Sequence, residues 1–336
     1  SSRAVSGGRE PLNMGGVVGD TTEKSNASAV LYDVYNAGKI GDDKYNFYGR
    51  HVGGVVGRLS GELEKAYNTG DIYNGYGTVG GIVGWWAAGD IKNVFNTGNI
   101  TVVNNDKENG VSQVGGIAGA HSGAGSTLSY AYNLGTIRSF TPFGYKYDYV
   151  NDKQTKDLLT NAVGGIIGYA RDYQGAGLKI KNVYTTNNIY AAIDNSNDNQ
   201  IIFDSTDEGL GAIYGRGDYA LNNNISIAYY VKMYESSFET PSNAAGVDAV
   251  ITKDANGNFT GFNDFIFNNQ QNGNDVDNSV DGWRIYNGTT PILNAFLPNS
   301  EGYARGQDLG GLNIDAVQYG TAAIQRQAQV NATANS

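Results

Sequence analysis

The hexapeptide VGGIVG at residues 79–84 reads at first as a glycine-rich phosphate loop, but the chain uses the same word five times. The other copies are MGGVVG (14–19), VGGVVG (52–57), VGGIAG (114–119) and VGGIIG (163–168). A phosphate loop serves one nucleotide and runs into Gly-Lys-Ser/Thr, which follows none of them. A word used once per unit belongs to a repeat, and the repeat decides the fold.

A second word follows each first one: VYNAGKI (34–40), AYNTGDI (66–72), VFNTGNI (94–100), AYNLGTI (131–137) and a decayed VYTTNNI (183–189). A worn sixth unit reads LGAIYG (210–215), then AYYVKMY (228–234). The tightest unit spans 27 residues, from Gly53 to Gly80, and the others stretch to between 35 and 49. Fixed words with variable inserts are what stacked coils with lateral loops produce.

The local chemistry favours strands. GDIKNVFNTGNITVV (89–103) alternates β-branched or aromatic residues with small polar ones and carries Asn-Thr-Gly as a turn signal. A coil of this length holds three short strands and three turns. Coils stacked at about 4.8 Å make an all-β parallel solenoid. In that arrangement the Val and Ile of each glycine word point into a narrow core, and the glycines allow tight turns or close approach of a neighbour. The Asn of each second word bonds its own backbone at a corner, and the Gly after it supplies a positive φ. Equivalent Tyr and Asn side chains then stack as ladders along the axis.

The pair VGGIVG…YNTGDI resembles the GLUG motif, a short repeat of large bacterial exoproteins and adhesins of the filamentous-haemagglutinin-like kind and of some secreted peptidases. The stretch DGWRIYNGTTPILNAFL (281–297) resembles the segment that often closes such repeat regions. The resemblance covers roughly residues 14–234. It implies a right-handed parallel β-helix, secreted to the bacterial cell surface and used as a stalk or for attachment. On this reading residues 1–240 are the solenoid, 241–300 a carboxy-terminal cap, and 301–336 a tail that reads either as a linker or as a short helix. Trp283, Ile285, Ile292, Leu293 and Phe296 would supply the apolar face of the cap, because a solenoid end exposes unpaired strand groups. VITKDANGNFTGF (250–262) reads as a hairpin turning at Asn256-Gly257.

Composition bounds the partners. Lys and Arg number 23 against 33 Asp and Glu, a net charge of −10, and no basic patch stands out, so a nucleic-acid backbone is not the expected ligand. There is no cysteine, hence no disulfide and no thiolate chemistry. No apolar run reaches the roughly 18 residues of a membrane helix. The opening SSRAVSGGRE has no hydrophobic signal region and leads almost directly into the first word, as expected of a mature fragment.

The sequence offers one ligand-binding candidate and one metal candidate. RSFTPFGYKYDYV (138–150) holds Phe140, Phe143, Tyr145, Tyr147 and Tyr149 beside Arg138 and Lys146. It reads as a lateral loop able to contact a glycan or protein of a host or bacterial surface, or as a hairpin packing its own rings. Asp204, Asp207 and Glu208, in the 190–209 insert, form a weaker candidate for Ca²⁺. No other cofactor is expected. His51 and His121, at opposite ends of two glycine words, read as exposed turn residues rather than a catalytic pair. Of the adjacent Trp85 and Trp86, one must face outward if both sit on a strand. The leading expectation is a non-enzymatic adhesin segment. The alternatives are a carbohydrate-active β-helix enzyme using loop carboxylates, which must come in pairs, and a purely structural fibre segment that self-associates.

Overall fold

The computed structural model describes residues 12–22, 29–42, 49–103, 112–140, 144–148, 153–157, 162–170, 177–185, 189–192, 210–217, 225–231, 247–253, 255, 259–260, 282–284 and 292–296. Nearly all of them are strand, and the repeats pair in parallel as successive coils of a β-solenoid.

The second to fifth coils each contribute to four faces, one more than the three strands expected. The first is built by Asn13–Gly15, His51–Gly53, Gly77–Gly80, Ser112–Gly115, Ala162–Gly164 and Leu210–Gly211, hydrogen-bonded in that order. The second starts with Val18–Asp20 and the beginning of Val56–Asn68, then takes Val83–Ala88, Ala118–His121, Ile167–Ala170 and Tyr214–Gly217. The third holds Ala29–Asn36, the end of Val56–Asn68, Ile91–Asn96, Thr127–Asn133, Lys179–Thr185 and Ile225–Val231. The fourth holds Ile72–Asn74, Ile100–Val103, Ile137–Phe140 and Ile189–Ala192, with Ile40 bridging to Ile72.

The glycine word divides two cores. Val52, Val79, Val114 and Val163 pack with Ile72, Ile100, Ile137 and Ile189 between the first and fourth faces. The residues at the other end of each word, such as Val55-Val56 and Ile82-Val83, pack with Leu63, Ile91, Leu128 and Ile180 between the second and third. The three glycines let these layers approach backbone to backbone. A Cβ on Gly53 would overlap the Val56 carbonyl oxygen and lie 2.7 Å from the next coil's Ile82 oxygen. One on Gly54 would stand 2.5 Å from the Asn68 Cγ, and one on Gly84 would stand 2.5 Å from the Val52 nitrogen. The obstacles are mostly backbone, which cannot rotate away.

The second word builds two ladders. Tyr35, Tyr67, Phe95, Tyr132 and Tyr184 stack with ring centroids 4.9, 5.0, 4.9 and 5.1 Å apart and planes within 5° of parallel. Beside them the Asn36 Nδ2 donates to Asn68 Oδ1, Asn68 to Asn96 and Asn96 to Asn133, each at 2.8 Å. The same amides each donate to the carbonyl two residues on, from Asn36→Gly38 at 2.7 Å to Asn133→Gly135 at 2.9 Å. The expected corner bonds and ladders are present. The expected positive φ at the following glycine is not, because Gly70, Gly98 and Gly135 lie outside the left-handed region. They are glycine for space: a Cβ on Gly70 would overlap the Gly38 carbonyl oxygen of the preceding coil.

The left-handed residues lie elsewhere. Asp33, Lys65, Asn93, Tyr130 and Asn182 have φ between 53° and 56° and occupy one register column of the third face. Each costs about 1–3 kcal/mol in a non-glycine residue. The bend resets the side-chain alternation so that Leu63 and Ala66, three positions apart, both reach the same core. Lys65, 2% exposed, meets the preceding coil's Asp33 at 3.1 Å in this column.

Beyond the sixth coil, Val247–Lys253 adds in parallel to Ile225–Val231 with a register shift after Ala228, and pairs antiparallel with Phe259–Thr260. The antiparallel pairing expected within 250–262 is present, while the turn read at Asn256-Gly257 falls outside the described residues. Trp283–Arg284 pairs antiparallel with Ile292–Leu293, followed by the short helical turn Asn294–Phe296. Phe296 stands edge-on to Tyr67 and Phe95 at 5.8 and 4.9 Å, and Trp283 lies against Tyr132 and Tyr184 at 6.1 and 5.3 Å. These two rings lie along the flank of the aromatic ladder.

Candidate functional site

The residue directly after each glycine word stands in one register column of the second face: Asp20, Arg58, Trp85, Ala120, Tyr169 and Arg216. The third glycine of the word fits against the first face, and the next side chain emerges beside it. Arg58, Trp85, Tyr169 and Arg216 are each half-buried, Ala120 is buried and Asp20 is exposed. The Arg216 guanidinium lies 5.7 Å from the Tyr169 ring centre, within cation–π range. The column was legible as the position following each word, although the sequence reading took only Trp85 from it.

His51 completes the near end. Its ring meets the Trp85 ring edge-on at 4.7 Å, and its Nδ1 is 2.6 Å from Thr78 Oγ1. Burial, then the charges of Arg50 and Arg58, push its pKa down to about 4, so the imidazole is neutral at pH 7. Asp20 behaves oppositely. Burial works against its charge, yet the Thr22 hydroxyl and backbone N–H, the Asn13 amide and Arg58 together hold the carboxyl below its ordinary range. Its Oδ1 accepts from Thr22 N at 2.7 Å and Thr22 Oγ1 at 2.5 Å, and its Oδ2 from Asn13 Nδ2 at 2.5 Å. This carboxylate is already engaged. Flat ring faces and guanidinium donors in a row suit surface contact with sugars or side chains better than proton transfer.

The histidines correct the sequence reading. Both are buried, His51 at 6% and His121 at 0% exposure, because each ring packs against a tryptophan. His121 takes the place held by Leu59 and Trp86 in the two preceding coils and meets Trp86 at 4.6 Å. The tryptophan pair divides as alternation requires. Trp86 is wholly buried, with Nε1 donating to Gly89 O at 3.0 Å, whereas half-buried Trp85 donates to Ser122 Oγ at 3.0 Å.

Of the predicted ligand residues, Phe140 ends the strand Ile137–Phe140, in register with Val103 and Ala192. Tyr145 and Tyr147 lie in the hairpin of Gly144–Asp148 with Lys153–Asp157, opposite Lys156 and Gln154. Phe143 and Tyr149 fall outside the described residues, as do Asp204, Asp207 and Glu208. Among the described residues, no three His, Asp or Glu side chains gather as a metal-holding group, and no helix is long and apolar enough to cross a membrane. Comparison with known proteins finds no matching family model, no similar curated protein and no similar solved structure.

Proposed function

We propose that the chain is the stiff repeat segment of a secreted bacterial surface protein of the GLUG-bearing, haemagglutinin-like kind, a non-enzymatic right-handed β-helix acting in adhesion. The observation supporting this is the continuity of the axial ladders. One stack of five rings and one chain of four amides tie successive coils at a fixed spacing, which is what a stalk under lateral load requires. The contact surfaces are lateral. One is the Arg58–Trp85–Tyr169–Arg216 column. The other is the 138–150 insert with its hairpin, and Asp204, Asp207 and Glu208 are the proposed Ca²⁺ ligands. The ligand class is a glycan or protein of a host, bacterial or matrix surface, with 241–300 as the closing segment of the stalk.

The test is binding of the full chain to immobilised glycans, matrix proteins and bacterial polysaccharides, with and without Ca²⁺. A variant carrying Tyr145→Ala, Tyr147→Ala and Tyr149→Ala is run beside one carrying Trp85→Ala and Tyr169→Ala. Specific binding lost in either variant places the contact on that surface. A well-folded chain that binds nothing sinks the adhesive part of the proposal and leaves a spacer. Turnover of a bound polysaccharide that stops on Asp204→Asn or Asp207→Asn replaces it with a hydrolase or lyase.

A further inference from the structure

The first coil exposes a cross-section of both cores. Val17 is 46% exposed, while Val55, at the same place in the next coil's word, is at 0%. The contrast extends to the neighbouring core positions. Met14, Val18, Leu31, Val34 and Ile40 are only partly covered, whereas their register partners Val52, Val56, Leu63, Ala66 and Ile72 are all at 0%. The large apolar residues most exposed among those described, Leu12, Val17, Val30 and Tyr35, all belong to this coil. Among the described residues its three strands pair on one side, with the second coil.

The two ladders specify what fits there. Tyr35 stacks on Tyr67 with one face and is 42% exposed, so the other face has room for a ring. Each later amide oxygen of the ladder accepts from the preceding coil, but among the described residues Asn36 Oδ1 accepts only from Gly38 N, at 3.1 Å. The ladder thus has a direction, and this end offers an acceptor. A head-to-head second copy would set one Asn36 oxygen against another. Head-to-tail stacking is also mismatched: Val247–Lys253 already covers the third face of the sixth coil, and in that coil Tyr230 is in register with Thr185, which replaces the ladder Asn.

We infer that this end is a docking surface for one further parallel coil of the same chemistry. That coil would place an aromatic ring over Tyr35, an Asn amide donating to Asn36 Oδ1, and the apolar residues of a glycine word over Val17 and Met14. The inference rests on coil geometry and is independent of adhesion.

A labelled synthetic peptide of residues 77–103, which carries both words, tests it against the full chain. Saturable binding is expected, weaker by about tenfold or more for Val17→Lys or Tyr35→Ala chains and for a peptide bearing Asn96→Leu. Circular dichroism confirms that the chain variants keep their fold, and Tyr35→Ala stands in if Val17→Lys does not. The inference is overturned if the peptide shows no saturable binding or binds the Val17→Lys and Tyr35→Ala chains as tightly as wild type. It is overturned equally if the chain alone sediments as a dimer that Val17→Lys dissociates, which assigns the end to a second copy.

Discussion

Gly54 and Asn68 touch at the boundary between the two cores, and each explains the other. The Asn68 side chain occupies the space a Gly54 methyl would need, 2.5 Å from its position, and spends its amide on Gly70 O and Asn96 Oδ1. The same contact recurs as Gly16 with Asn36, Gly81 with Asn96 and Gly116 with Asn133. The two sequence words are therefore the two halves of one packing interaction.

Gly81→Ala is expected to destabilise the chain by roughly 2–4 kcal/mol, since the methyl would overlap both the Asn96 side chain and the Gly116 carbonyl oxygen. Gly125→Ala is the contrast. Nothing lies within 4 Å of its added Cβ, so only its φ of +69° opposes the change, for about 1–2 kcal/mol. Urea unfolding of the two variants should separate them in that order.

Asn96→Leu removes two ladder bonds and the corner bond to Gly98 O at a position with 0% exposure, and leaves the Asn68 Nδ2 facing a methyl group and the Asn133 Oδ1 with only the Gly135 N–H as donor. A loss of about 2–4 kcal/mol is expected. Asn68→Leu should cost about as much. The double variant should cost less than the sum, because the two share a bond. A double-mutant cycle in urea checks this, and additive losses would mean the ladder is not cooperative.

Phe296→Ala should act locally. Its ring is 5% exposed and crosses Tyr67 and Phe95, so its loss releases the 283–296 segment while the coils keep their own ladders. Hydrogen exchange should rise in that segment and along the ring column, with the first-face strands unchanged. Uniformly faster exchange would show that the segment holds the solenoid together.

His51 makes stability pH-dependent. Its folded pKa, about 4, lies below the ordinary 6.5, so between those values the unfolded chain takes a proton that the folded chain refuses. Its contribution is complete above pH 6.5 and is lost as the pH falls towards 4, by up to about 2–3 kcal/mol. His51→Gln should flatten the urea midpoint across that window. An unchanged slope would assign the effect to another group.

Much of the architecture was legible because coil stacking turns sequence identity into spatial identity. Residues that recur in the same word end in the same column, so the Tyr and Asn ladders could be expected from YNTG alone. The left-handed column was not legible. Its occupants are Asp33, Lys65, Asn93, Tyr130 and Asn182, and neither lysine nor tyrosine announces that conformation. The histidines misled for a related reason: their burial comes from Trp85 and Trp86 in neighbouring coils, not from residues beside them.

By itself the sequence determined the repeat, the strand character and which side chains pair along the axis, since these depend on local propensity and on identical residues meeting at a fixed rise. The tertiary structure alone decided why each glycine is glycine and where the chain bends. Those features arise from contacts between faces of the coil that are far apart in sequence, and no periodicity within one word encodes how closely two backbones will approach.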